Sequence, residues 1–260
     1  MEKMRNGIAG MVLAGALVFF ATSALAAEKA VVAGPFTPDK STLFLMHFDE
    51  GTGQVAGDSS VNKNDGKLVD TDWEKQGRFG SAVAFHGESG FIRLGSISKT
   101  LDLGTGDFTI EAWIKGNSFK SECAIFADGA ITYIPGIFLF VSSRGDGMVR
   151  AQICFSPGGS ENNVNLAGAA TVVTTGEWHH VALVVKRSSS MAIYLDGKEN
   201  GKIDISAKAG ASLSNNEEGY IGAWGNNPGW NSFDGLIDEL RLSNIARYES
   251  EFEVKLPEPK

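Results

Sequence analysis

Short runs of alternating apolar and polar residues follow one another from Leu43 onward, separated by Gly, Asp, Asn and Ser. A period of two over four to eight residues is typical of half-buried β-strands. No stretch of about 12 residues keeps a helical period. We therefore predict strands and almost no helix, with the clearest strands at 43–48, 81–85, 91–94, 108–115, 123–127, 136–142, 148–155, 179–186, 191–195, 220–224 and 235–242.

Two turn signals join neighbouring runs. Asp196-Gly197 lies between the runs at 191–195 and 198–203, and Asp-Gly in that position is a strong β-hairpin signal. Gly145-Asp146-Gly147 separates the runs at 136–142 and 148–155 in a similar way. Many short strands at regular spacing, without intervening helices, indicate an all-β fold, namely an antiparallel two-sheet sandwich or jelly roll.

Composition limits the possible partners. The chain has 260 residues and a formal net charge of −8. Nucleic acids and anionic membrane surfaces are polyanions, so this charge disfavours both as partners. A neutral glycan, an extracellular protein or a cation remains compatible with it.

The first 26 residues have the pattern of a secretory signal peptide. Lys3 and Arg5 precede an uncharged apolar stretch at 8–20, and Ala24-Leu25-Ala26 forms a cleavage site. The stretch is shorter than the roughly 20 residues that a transmembrane helix needs. We expect an exported protein, periplasmic or extracellular, with no membrane insertion after signal cleavage. The predicted organisation is a signal peptide (1–26), a flexible leader (27–40), one domain (41–250) and an irregular tail (251–260).

Cys123 and Cys154 are the only two cysteines. In an oxidising compartment they would be able to form a disulfide that closes about 30 residues. The alternative is two separate buried thiols, since the residues between them are predicted to form a hairpin with strands of its own. The geometry of the two cysteines decides between a disulfide and two separate thiols. We predict the disulfide between Cys123 and Cys154.

Recognisable catalytic motifs are missing from the sequence. A glucanase-type site needs two carboxylates that flank the scissile bond, and no Glu-x-Asp-x-x-Glu pattern occurs. Asp238 and Glu239 are adjacent, which predicts opposite faces of one strand. His179 and His180 are also adjacent and are interpreted as the start of a core strand. We therefore expect a protein that is not an enzyme.

An ordered set of motifs runs through the chain. These motifs are LMHFDEGTG at 45–53, FGSAVAF at 79–85, FIRL at 91–94, DFTIEAWIK at 107–115, GEWHHVA at 176–182, IYLDG at 193–197 and FDGLIDELRLS at 233–243. In this order they resemble the laminin-G-like jelly rolls of the concanavalin-A-like lectin/glucanase superfamily, over roughly residues 41–250. The resemblance implies two curved antiparallel sheets packed face to face. It also implies a glycan- or protein-binding module, often with a structural calcium.

Asp238 and three other polar residues are candidates for a structural calcium site. Alternation along 236–242 places Leu236, Asp238, Leu240 and Leu242 on one face, which the leucines mark as core. A buried carboxylate is costly unless it is paired, hydrogen-bonded or bound to a metal. Further oxygen ligands for calcium are available at Asp49, Asp58 and Asn64. The alternative is that Asp238 accepts backbone N–H bonds and that Asp58 and Asn64 form Asx turns.

The loop around 224–231 is the predicted ligand site. Aromatic rings and amide side chains suit sugar rings and hydroxyl groups, and the candidates are Trp224, Asn226, Asn227, Trp230 and Asn231. The alternative places Trp224 in the core. The favoured function is a secreted or periplasmic non-catalytic module that recognises a carbohydrate, in other words a lectin-like module. A protein-interaction, adhesion or surface-assembly module is the alternative, and a glycoside hydrolase is a remote one.

Overall fold

The computed structural model describes residues 29–96, 103–120, 122–128, 134–141, 146–225 and 231–255. Within these ranges the chain forms two eight-stranded antiparallel sheets and one parallel pair of short strands. The helices in these ranges are single 3₁₀ turns at Ser160–Asn162 and Ser206–Lys208. No helix among the described residues has the length and hydrophobicity needed to cross a membrane.

We call the two sheets the front sheet and the back sheet. In spatial order, the front sheet consists of β12 (Asn163–Ala167), β11 (Val149–Cys154), β10 (Gly136–Val141), β9 (Cys123–Asp128), β16 (Glu218–Ile221), β7 (Phe91–Ser96), β4 (Gly66–Val69) and β3 (Val55–Ala56). The back sheet consists of β15 (Lys198–Asp204), β14 (Ser190–Leu195), β13 (His179–Lys186), β8 (Phe108–Gly116), β17 (Asp234–Ser243), β6 (Ala82–His86) and β5 (Asp72–Glu74), and β2 (Thr42–Met46) also pairs with β17. The parallel pair is β1 (Val31–Val32) with β18 (Glu253–Val254).

The structure confirms the all-β, two-sheet fold that the sequence predicts. Each predicted strand overlaps an observed one, and the run at 179–186 matches β13 at both ends. Asp196 and Gly197 have φ values of 51° and 77°, and they join the antiparallel strands β14 and β15. This is the left-handed conformation of a type I′ hairpin turn.

The main core lies between the two sheets. It takes residues from strands of both sheets, such as Ile110 and Ile193 from the back sheet and Phe126, Leu139 and Ile221 from the front sheet. Burying aliphatic and aromatic side chains of this size stabilises a fold by about 1.5–3 kcal/mol each. This core therefore holds the sheets together and fixes which side chains face outward.

The outer face of the back sheet is covered by both ends of the described chain. Val32 and Phe36 from the N-terminal side pack with Tyr248 and Phe252 over a second buried cluster that includes Trp113 of β8. The segments predicted as a flexible leader (27–40) and an irregular tail (251–260) contribute Val32, Phe36 and Phe252 to this cluster, while residues 37–40 are exposed.

A β-bulge in β17 corrects the predicted face of Asp238. Two residues lie between Asp238 and Arg241, whereas a single residue separates their partners Trp113 and Glu111 on β8. Glu239 takes up the extra residue with a φ of 50°. Leu240 and Leu242 therefore face the main core, while Asp238 lies with Trp113 under the terminal segments.

No disulfide joins Cys123 and Cys154. Cys123 of β9 lies opposite Val141, and Cys154 of β11 lies opposite Gly136 at the other end of β10. One intervening strand and five residues of its length separate the two thiols, which exceeds the Cα–Cα distance of about 7 Å that a disulfide tolerates. The disulfide prediction is corrected: both sulfurs are buried on different strands of the front sheet.

Candidate ligand-binding face

One row of cross-strand partners runs over the outer face of the front sheet from edge to edge. Residues next to its members, such as Ile92, Ile221 and Ile153, point into the main core, so the row itself points outward. Strands lie about 4.8 Å apart, which gives the row a length of roughly 34 Å. We call it the cross-sheet row, and its members are Val55, Lys67, Arg93, Tyr220, Ala127, Phe138, Gln152 and Asn165.

Aromatic side chains fill the centre of this row. Phe138 stacks against Phe140 at 4.3 Å and against Trp224 at 4.6 Å between ring centroids. We call these three residues the aromatic cluster. Phe138 is 1% exposed, whereas Trp224 is half-buried and forms the accessible side of the cluster. The row is more open on both sides, where Lys67 and Asn165 are exposed.

Three polar atoms on or beside this face have no hydrogen-bond partner among the described residues. They are Nε1 of Trp224, Nε of Arg150 and Oδ1 of Asn163. Arg150 lies directly opposite Phe140, and Asn163 lies two residues from Asn165 on β12. Unsatisfied polar groups cost about 1–3 kcal/mol each when buried. Hydroxyl groups both donate and accept hydrogen bonds, so they complement this set of two donors and one acceptor.

The opposite flank of the row is cationic. Arg93 donates from Nε to Glu218 Oε2 at 2.8 Å, and the Tyr220 hydroxyl donates to the same oxygen at 2.7 Å. Hydrogen bonds from Tyr220 and from Arg93 lower the pKa of the Glu218 carboxyl. Lys67 lies opposite Arg93 and has no ion pair with any described residue. We call Lys67 and Arg93 the cationic flank.

The predicted ligand loop overlaps this face only in part. Trp224 belongs to the aromatic cluster, outside the main core. The Asn231 carbonyl accepts the backbone N–H of Ala124 at 3.2 Å, which ties the end of the loop to β9. Asn226, Asn227 and Trp230 lie outside the described residues. The flanking row members are not among the site residues predicted from the sequence, although their alternation with core residues marks them as outward-facing.

Two of the four predicted metal ligands form a network of their own. Asp58 is 2% exposed, and its carboxylate accepts the backbone N–H groups of Leu45, Ser60 and Asn64 at 2.8–3.0 Å. The Ser60 hydroxyl donates a further bond to it. These contacts fasten the loop at 57–64 to β2 and match the Asx-turn alternative.

The other two predicted ligands, Asp49 and Asp238, contact one loop. Asp238 Oδ2 accepts the N–H of Phe79 at 2.9 Å, and Asp49 Oδ1 accepts the N–H of Ser81 at 2.9 Å. Asp238 is fully buried and its Oδ1 atom has no partner among the described residues. Burial raises the pKa of this carboxyl to about 8. No group of three or more His, Cys, Asp or Glu residues in the described ranges is arranged to hold a metal ion.

His179 takes part in a Thr–His–Asp contact that resembles a catalytic triad in its distances alone. Its Nδ1 is 2.8 Å from Asp196 Oδ2, and its Nε2 is 2.7 Å from Thr174 Oγ1. However, Thr174 also donates its hydroxyl to Glu177 and its backbone N–H to His179 Nε2. Asp196 accepts the N–H of His180 as well. These bonds hold two turns together, so the arrangement has a structural explanation.

A charged network lies buried under the terminal segments. Arg241 donates to Glu111 Oε1 from Nε at 2.9 Å and from a terminal nitrogen at 2.6 Å, and Tyr248 donates to Oε2 at 2.6 Å. His180 Nε2 is 3.2 Å from Oε2. Burial alone would raise the pKa of Glu111, but His180, Arg241 and Tyr248 together hold it at about 2. Glu111 and Arg241 are direct cross-strand partners on β8 and β17, and both side chains are buried beneath the terminal segments.

Comparison with known proteins identifies the same fold. The Laminin_G_3 family, described as the concanavalin A-like lectin/glucanases superfamily, matches residues 86–252. The binding domain of Paraclostridial Mosquitocidal Protein 1 superimposes with a TM-score of 0.58 and 14% identity, covering 79% of this chain and 49% of that one. The chain therefore spans about half the length of that toxin domain. No curated protein matches the chain.

Two further solved structures share the architecture. Domain 4 of AbnA, a GH43 extracellular arabinanase from Geobacillus stearothermophilus solved with arabinotriose, has a TM-score of 0.55 and 21% identity, covering 79% of this chain and 93% of that one. The binding domain of botulinum neurotoxin serotype G has a TM-score of 0.55 and 11% identity, covering 79% and 48%. At these identities the similarity establishes the fold alone.

Proposed function

The chain belongs to the laminin-G-like family of the concanavalin A-like lectin/glucanase superfamily, and on that premise we propose that it is an exported, non-catalytic module that binds a carbohydrate. The ligand lies along the cross-sheet row and rests against Trp224. Export is supported by the signal-peptide pattern of residues 1–26, which lie outside the described residues. Two structures of the same fold come from an extracellular arabinanase bound to arabinotriose and from a toxin binding domain.

The single observation that carries this proposal is the composition of the cross-sheet row. An aromatic cluster lies between Gln152 and Asn165 on one side and the cationic flank on the other. Aromatic faces pack against the apolar faces of sugars, while amide and guanidinium groups bond their hydroxyls. Tyr220, Ala127 and Phe138 at the centre of the row are buried, whereas Lys67 and Asn165 towards its two ends are exposed. A ligand that reaches both ends passes over Trp224 and spans several sugar units, which favours a polysaccharide over a monosaccharide.

A non-catalytic role is supported by the acids of this face. A glycoside hydrolase needs two carboxyl groups about 5–9.5 Å apart that flank the bond to be cleaved. Among the described strand residues that point outward from the front sheet, Glu218 is the only acid. It is already bonded to Arg93 and Tyr220.

We predict that Trp224→Ala weakens polysaccharide binding by about tenfold or more, since a partly exposed aromatic anchor is typically worth at least 1.4 kcal/mol. Gln152→Ala should weaken it by a smaller factor. Affinity electrophoresis and calorimetry with a panel of polysaccharides measure both effects on the exported chain. The matched control is Trp73→Ala, because Trp73 is equally half-buried but lies on β5 of the back sheet. Failure of the wild type to bind any polysaccharide would contradict carbohydrate recognition and favour the protein-interaction alternative.

We also propose a structural calcium held by Asp238 and Asp49. The support is chemical: Asp238 offers a buried carboxylate oxygen without a partner, and Asp49 contacts the same loop two residues further on. Calcium favours such oxygens together with backbone carbonyls. Asp58 is less suitable than the sequence suggested, because backbone N–H groups already bond its carboxylate, whereas Asn64 stays a predicted ligand.

Calcium should stabilise the chelator-treated protein by about 3 kcal/mol when it is present at about 100 times its dissociation constant. Melting curves with and without calcium measure the shift, and Asp238→Asn should abolish it. Asp72→Asn is the matched control, because Asp72 is exposed on β5. Identical melting curves of the wild type with and without calcium would rule the ion out.

A further inference from the structure

The strand residues on the outer face of the front sheet have a net charge opposite to that of the whole protein, even when Asp146, the loop partner of Arg150, is counted with them. The chain has a formal net charge of −8. In contrast, the charged strand residues that point outward from this sheet are Lys67, Arg93, Arg150 and Glu218, three cations and one anion. Asp128, the remaining charged strand residue of the sheet, points toward the core side and is 9% exposed.

The cations of this face keep donors available for a ligand. Lys67 is exposed and has no ion pair with any described residue. Arg93 bonds Glu218 through Nε and one terminal nitrogen. Arg150 bonds Asp146 Oδ2 at 3.2 Å and Met148 Sδ at 3.7 Å through one terminal nitrogen, and its Nε is buried without a partner among the described residues, which leaves the other terminal nitrogen for a ligand. A guanidinium has five N–H donors arranged for two-point contact with a carboxylate, so both arginines retain capacity.

The spacing of these cations matches an extended ligand. Lys67 and Arg93 are direct partners on β4 and β7, whereas Arg93 and Arg150 are four strands apart. Four strand spacings amount to roughly 19 Å. One small anion cannot reach both positions, but a chain of sugars that carries repeated carboxylates can.

We propose that the ligand of the cross-sheet row is an acidic polysaccharide that contains uronic acid residues. This inference rests on the proposed carbohydrate function and specifies its substrate class. One carboxylate contacts Lys67 and the free side of Arg93, and a second contacts Arg150. The sugar rings between them pass over Trp224. The acidic surface of the rest of the protein would repel the same polymer and so confine it to this face.

The test uses matched polymers on the exported chain: alginate and polygalacturonate, each with its carboxyl-reduced neutral form, together with neutral arabinan. We expect binding to an acidic polymer, weakened about tenfold or more in the reduced form. Salt at about 1 M, where the Debye length is about 3 Å, should weaken it further. Lys67→Glu should cost about tenfold or more. The matched control Lys202→Glu, on β15 of the back sheet, should leave the affinity unchanged.

The outcomes separate this inference from the proposed function. Equal binding of acidic and reduced polymers, or binding of arabinan alone, would overturn the acidic-ligand inference and keep the carbohydrate function. Equal losses in Lys67→Glu and Lys202→Glu would also overturn it, because the effect would then reflect overall charge. Absence of binding to every polymer would overturn both proposals.

Discussion

Replacing Arg241 by Met should destabilise the protein by about 3–5 kcal/mol, because the variant leaves the Glu111 carboxylate buried without its guanidinium. Glu111 is fully buried, and Arg241 supplies two of its hydrogen bonds. Tyr248 and His180 also contact this carboxylate. The other guanidinium nearby belongs to Arg247, whose Nε is 3.9 Å from Oε1 and whose hydrogen bonds go to Ser243 and Asp39, so it does not replace the two bonds from Arg241. Urea denaturation measures the effect as a lower midpoint with an unchanged slope.

Two controls identify the cause of that loss. In the double variant Glu111→Leu/Arg241→Met no charge stays behind, so most of the stability should return. Arg93→Met removes the same kind of cross-strand Arg–Glu pair from an exposed site and should cost less than about 1 kcal/mol. A loss in Arg241→Met no larger than that in Arg93→Met would contradict the importance that we assign to burial.

This network explains why both terminal segments settle on the back sheet. Tyr248 bonds Glu111, and the ring of Phe36 lies 4.1 Å from the Arg241 guanidinium. Glu239 accepts the backbone N–H of Phe36 at 2.7 Å. The segments satisfy polar groups of the sheet while burying their own apolar side chains. A truncation that removes residues 30–37 would expose the Glu111–Arg241 pair to water.

The sequence predicted the strands well and the faces of β17 poorly. Period-two patterning locates β13 and the Asp196-Gly197 hairpin because both depend on neighbouring residues. The bulge at Glu239 depends on how β17 pairs with β8, and the residue types at 236–242 do not predict it. Strict alternation of side chains along 236–242 ignores the extra residue of the bulge, and it therefore predicts the wrong face for Asp238.

The cross-sheet row could not be predicted from the sequence, because it also depends on which strands pair. It depends on β16 lying between β9 and β7, although these strands are far apart in the chain. Local patterning shows that Arg93 and Tyr220 each face outward, but their contact follows from long-range register. Trp224 was predicted as a site residue because the loop around it, 224–231, has an unusual composition. Its stacking on Phe138 required the tertiary structure.

Asp128→Asn should stabilise the protein by up to about 4 kcal/mol at about pH 8 and have almost no effect near pH 4. Asp128 is nearly buried at the end of β9, and its Oδ1 atom has no partner among the described residues. Burial raises the pKa of its carboxyl to about 7, and the charge of Glu217 adds to this, although a hydrogen bond from Asn215 opposes it. Asparagine keeps the shape and removes the charge.

The direction of this pH dependence follows from proton binding by the Asp128 carboxyl in the folded and unfolded states. Below about pH 4 the carboxyl is protonated in both the folded and the unfolded state, so its burial carries no charge penalty. Between about pH 4 and pH 7 the unfolded chain releases the proton while the folded chain retains it, and stability falls as pH rises. Above about pH 7 the folded protein holds a buried carboxylate and the penalty is complete.

Denaturation midpoints of the wild type and of Asp128→Asn, measured across this pH range, test the prediction. The difference between the two proteins should grow from nearly zero to its maximum between about pH 4 and pH 7. Asp204→Asn is the matched control, because Asp204 is exposed on β15 and its pKa is lowered by the backbone N–H of Ser206. A pH-independent difference for Asp128→Asn would show that the variant changes packing or hydrogen bonding, and the buried-charge explanation would then be wrong.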